Sequence, residues 1–123
     1  MKIFHKAFGL CFLYVIYNSA LTTKAYDLIS YDTEAIKQTN IICKKSGNVV
    51  SVSGYFNSTK TIAKNINFLH VNDEIRPKQR TYFLMLSPIT DNPKYAKIDA
   101  EGYVQSDYEL PAGYYFFNFS YIL

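Results

Sequence analysis

The chain has 123 residues, of which 17% are aromatic and 19% charged, with 12 tyrosines and no tryptophan. That length suits one domain and excludes a two-domain enzyme with an interdomain cleft, while the aromatic content excludes a disordered chain. Of the formal charge of +3, Lys2, Lys6 and Lys24 all precede the first acidic residue, Asp27, so the stretch from Ala25 onward holds ten basic and ten acidic residues and is neutral. Duplex nucleic acid needs a stripe of Lys and Arg, and this body offers none, which excludes nucleic acid as a partner.

Residues 1–25 form a basic, apolar N-terminal segment. Lys2, His5 and Lys6 precede an apolar run from Ala7 to Tyr17, the pattern of a secretory signal and too short for a spanning helix. Asn18-Ser19-Ala20 and Thr23-Lys24-Ala25 are both poor cleavage sites. A buried or interfacial helix, and an internal start within a longer protein, are the competing readings. Residues 26–39 lack strand alternation and read as a linker or short helix.

From residue 40 to 123 the pattern is that of short strands. Ile41–Lys44 and Val49–Asn57 flank Ser46-Gly47-Asn48 and make a hairpin, with Val50, Val52, Gly54 and Phe56 on one face. Ile66–Val71 is a third strand, and Pro77 prevents its continuation. Thr81–Leu86 is almost continuously apolar, which predicts a central strand covered on both faces and closed by Pro88 and Asp91-Asn92-Pro93. Tyr95–Asp99 and Tyr103–Ser106 form a second hairpin around Ala100-Glu101-Gly102. The last strand, Tyr114–Leu123, is too apolar for an exposed edge and is expected to pair inside a sheet. Seven such strands predict an all-β fold, an antiparallel β-sandwich or jelly roll preceded by a short helical or leader segment.

Chemistry is sparse. His5 and His70 are the two histidines and Cys11 and Cys43 the two cysteines, so neither a zinc site nor a disulfide scaffold is expected. Cys43, between Ile42 and Lys44, reads as a small buried hydrophobe. His70 with Asp73 lacks an activated serine and oxyanion donors. Asp99 and Glu101 are too few for calcium, and hairpin turn chemistry explains Asp99 and Gly102 without a metal. The sequence therefore predicts no enzyme, catalytic residue, metal or cofactor. Asn57-Ser58-Thr59 and Asn118-Phe119-Ser120 match the glycosylation pattern, the second inside a strand. Tyrosine joins a flat apolar ring to a hydroxyl, which suits interfaces and sugar faces. Tyr103, Tyr108 and Tyr114 bracket the loop 107–113, and with Asp107 they are the candidate ligand-binding residues.

The order of several motifs resembles a known family. Cys43-Lys44-Lys45-Ser46-Gly47-Asn48-Val49-Val50, Ile75-Arg76-Pro77, Ile98-Asp99-Ala100-Glu101-Gly102-Tyr103-Val104, and Gly113-Tyr114-Tyr115 through Ser120-Tyr121-Ile122 resemble the C-terminal β-sandwich domains of bacteriophage tail fibre and baseplate proteins. The chain departs from that pattern at Asn72-Asp73-Glu74, ahead of Arg76-Pro77, and in the short stretch upstream. The resemblance implies a non-enzymatic, prophage- or virion-encoded module, usually a homotrimer at a tail tip, that meets a host-surface glycan or receptor and other tail proteins. The alternative is a small secreted or surface-associated adhesin or carbohydrate-binding module, exported by residues 1–25. A third reading, a hydrolase built on His70, has the least support in the residues.

Overall fold

The computed structural model describes residues 22–89 and 92–123. Of the expected leader, residues 1–25, the part that holds His5 and Cys11, residues 1–21, lies outside the described residues, while Thr23–Ala25 belong to a strand. The strands are β1 (Thr23–Tyr26), β2 (Ser30–Tyr31), β3 (Ile36–Ser46), β4 (Val49–Ser58), β5 (Leu69–His70), β6 (Thr81–Leu86), β7 (Lys94–Ile98), β8 (Tyr103–Ser106) and β9 (Gly113–Ile122). A single 3-10 turn, Asp73–Ile75, lies between β5 and β6. Among the described residues the fold is all-β, as the strand signals predict, with no α-helix.

The strands join in one curled sheet with the order β1-β3-β4-β9-β6-β7-β8-β5-β2, antiparallel at every step. The terminal strand β9 sits inside this order, between β4 and β6. Although β1 and β2 are its two ends, only residues 27–29 separate them in the chain. That connection spans at most about 14 Å, so the sheet must curl until its edges approach one another. Ile29 N donates to His70 O at 2.8 Å on one side of the seam, and Lys24 Nζ lies 3.6 Å from Glu74 Oε2 near the other.

Residues 26–39 therefore correct the expectation of a linker or helix, and the domain starts near residue 23 rather than 40. Two- and four-residue strands are too short to show alternation, and long-range pairing with β3 and β5 fixes them. The expected strand Ile66–Val71 shrinks to Leu69–His70. Asn65 there has a positive φ of 64°, and Phe68 N bonds to Val104 O outside a regular ladder.

The interior is a line of aromatic rings. Phe56 lies 5.3 Å from both Phe68 and Tyr115 and 6.3 Å from Phe117, while Phe83 lies 5.7 Å from Phe117 and 3.8 Å from Phe119. Such pairs contribute about 0.5–1.5 kcal/mol each beyond the area they bury. Their hydroxyls are satisfied: Tyr115 donates to Pro111 O and Tyr121 to Ile75 O, both at 2.6 Å. Gly54 lets β3 and β4 close together, since a Cβ there would stand 1.9 Å from Asn40 O.

Candidate functional site

The inner face of the curled sheet is filled, so any surface the protein works through must lie outside or at the loops. Alternation decides which side chains those are. On β6, Phe83 and Met85 are buried, whereas Tyr82, Leu84 and Leu86 are 53%, 46% and 58% exposed. This corrects the expectation that Thr81–Leu86 is covered on both faces. The strand is central in the sheet order, yet only its inner face is covered.

Tyr95 continues the row on β7, opposite Leu84. Ser106 stands opposite Ala96, which brings the next residue, Asp107, beside Tyr95 on the outer surface. Asp107 Oδ1 accepts from Lys97 Nζ at 2.6 Å, and Lys94 Nζ lies 5.5 Å from the centroid of the Tyr108 ring. Tyr95 and Tyr108 are each about half exposed. Tyr95 and the Lys97–Asp107 ion pair thus share the outer face of β7 and β8, while Lys94, register partner of the buried Met85, meets Tyr108 where β7 begins and the loop after β8 starts.

The four candidate residues read from the sequence do not form one patch. Asp107 and Tyr108 belong to the surface just described. Tyr103 starts β8 at its far end, where its ring stacks on His70 at 3.9 Å and its amide donates to Asp99 Oδ1 at 3.0 Å. Tyr114 is on β9, where it meets Tyr55 at 5.9 Å and Phe116 at 6.3 Å. Sequence reasoning missed Tyr82, Tyr95, Leu84, Leu86 and Phe116. The signal for Phe116 was present in the alternation of β9, and that for Tyr95 became readable only once Ala96 was known to face inward.

His70 is held by packing: its Nε2 lies 3.2 Å from Glu101 O and 3.9 Å from Asp73 Oδ1, beneath Tyr103. Asp99 closes its hairpin by accepting from the amides of Glu101 and Tyr103, and Gly102 has a φ of 89°. Hairpin geometry thus accounts for the Asp99 carboxylate. No group of three or more His, Cys, Asp and Glu able to hold a metal occurs among the described residues. Burial, followed by the charge of Asp27, pushes the Cys43 thiol from its ordinary 9.0 up to about 11, so it is protonated at neutral pH. Among the described residues no helix is long and apolar enough to cross a membrane.

No family model and no curated protein matches this sequence, and nothing in those comparisons identifies a tail fibre domain.

Proposed function

We propose that this chain is a non-enzymatic recognition domain of the tail-fibre or baseplate type that binds a surface saccharide on the outer face of β7 and the loop after β8. The observation that carries the reading is the half-exposed Tyr95 beside the Lys97–Asp107 ion pair on the outer face, with the Lys94–Tyr108 contact at the adjoining loop. Exposed rings stack on the apolar face of a sugar, and the neighbouring carboxylate and ammonium groups meet its hydroxyls. The curled sheet supplies a rigid support for them. The reading goes with a virion tail, or with a cell surface if residues 1–25 direct export.

The test is binding of the full chain to an array of bacterial surface saccharides, alongside Tyr95→Ala and Tyr108→Ala. The expected result is a bound class of glycan whose signal falls about tenfold or more in each variant, with circular dichroism unchanged. A chain that binds no saccharide, or variants that bind as wild type does, would overturn it.

A further inference from the structure

We propose that a second copy of this chain docks on the outer face of β6, β9 and β4. This goes beyond the recognition reading and uses a different part of the outer surface. Strands β6 and β9 are in register only at Met85–Phe117 and Leu86–Phe116. A groove of about 540 Å³ opens there, walled by Leu84, Leu86, Phe116 and Phe117 and lined also by Ser53 and Asn118. Beside it runs a ridge of rings, with Tyr55 5.5 Å from Phe116 and 5.9 Å from Tyr114.

Three features favour a second copy over other occupants. The first is area: Tyr82, Leu84, Leu86, Tyr114 and Phe116 are each roughly half exposed. With ~150–250 Å² for each large aromatic side chain, they present on the order of 400–500 Å² of one surface. That lies at the upper end of the apolar patches a monomer ordinarily leaves open and is about half of the ~800 Å² each partner gives to a standard interface. Second, a groove and a ridge side by side are self-complementary under a two-fold axis, which puts the ridge of each copy into the groove of the other. Third, the body from Ala25 onward is electroneutral, so two copies meet without net repulsion. Leu84, Leu86, Phe116 and Phe117 make the groove mostly apolar, with Ser53 and Asn118 its polar lining and the Ser51–Ser120 contact at 3.3 Å farther along the same strands. This is the apolar centre and polar rim of a protein interface rather than a sugar site.

Sedimentation velocity on the full chain, with Leu84→Glu and Leu86→Glu variants, tests the assignment. The expected result is association of the wild type at tens of micromolar and a dissociation constant raised about tenfold or more in each variant, with near-ultraviolet circular dichroism unchanged. Hydroxyl-radical footprinting of the wild type alone adds a readout independent of variant folding, with protection of Phe116 and Leu86 that rises with concentration. A wild type that stays monomeric overturns the proposal, as it would if residues 7–17 of the same chain covered the groove. Association that survives both substitutions, or footprints that do not change with concentration, overturns it too.

Discussion

From β6, Phe83 and Met85 point into the curled sheet, and Tyr82, Leu84 and Leu86 point out of it. Both sets are apolar, but among the described residues only the inner set is buried: Phe83 stacks on Phe119 at 3.8 Å and leans on Phe117 at 5.7 Å. The outer set stays about half exposed, so the packing of the described residues uses only part of its apolar surface. An apolar residue at such a position makes sense through what it meets after folding.

Substitutions on the two faces should therefore separate cleanly. Phe83→Ala removes a buried ring and leaves a cavity, and urea unfolding is expected to register a loss of about 3–5 kcal/mol. Leu84→Ser, one position along on the outer face, is expected to stay within about 0.5 kcal/mol in a dilute monomer. Comparable losses at the two positions would mean that the outer face is also part of the monomer's core.

A second probe of the inner face is alkaline pH. Cys43 is 1% exposed, and its thiol is raised from 9.0 to about 11 by burial; Tyr115, fully buried, is raised from 10.0 to about 12 for the same reason. Both are acids whose folded pKa exceeds the unfolded one, so their contribution is complete below pH 9. It is lost as pH rises, because the unfolded chain releases its protons first. The Cys43 part is lost between about pH 9 and 11, on the order of 2–3 kcal/mol. Melting curves are expected to be flat through neutrality and to fall above pH 9, and Cys43→Ala should remove the fall between pH 9 and 10 and lessen it up to pH 11, where the tyrosine part, which begins near pH 10, remains. A Cys43→Ala chain with an unaltered profile would show that the inner face does not hold this thiol dry.

The same contrast explains which parts of the molecule were legible in the sequence. On β4 and β9 one face is apolar and buried, and the other includes Ser51, Ser53, Asn118 and Ser120, so period two is visible by eye. The hairpins were readable because Gly47 and Gly102 supply the positive φ their turns require. A continuous apolar run such as Thr81–Leu86 carries no such information, since a strand buried on both faces and a strand with one open face read alike. The strands β1 and β2 were illegible for another reason: their partners lie on β3 and β5, and nothing local announces them. Of the four candidate residues, Asp107 and Tyr108 lie together in a loop marked in the sequence, whereas Tyr103 stands apart from them because it stacks on His70, which is distant in the chain.

The smallest expected effect tests whether the polar end of the outer face belongs to folding or to recognition. Lys97 Nζ and Asp107 Oδ1 are 2.6 Å apart, with the lysine side chain 14% exposed and the carboxylate side 44% exposed. A pair with one partner this open is screened by solvent, and double-mutant cycles on such pairs typically give about 0.2–1 kcal/mol. A cycle with Lys97→Met and Asp107→Asn, read by thermal unfolding, is expected to fall in that range and to shrink in high salt. A coupling well above it would make the ion pair a structural clasp between β7 and the loop after β8. The expected small value leaves the carboxylate and the ammonium free to exchange each other for ligand hydroxyls at little cost to the fold, which is what a recognition surface beside Tyr95 and Tyr108 requires.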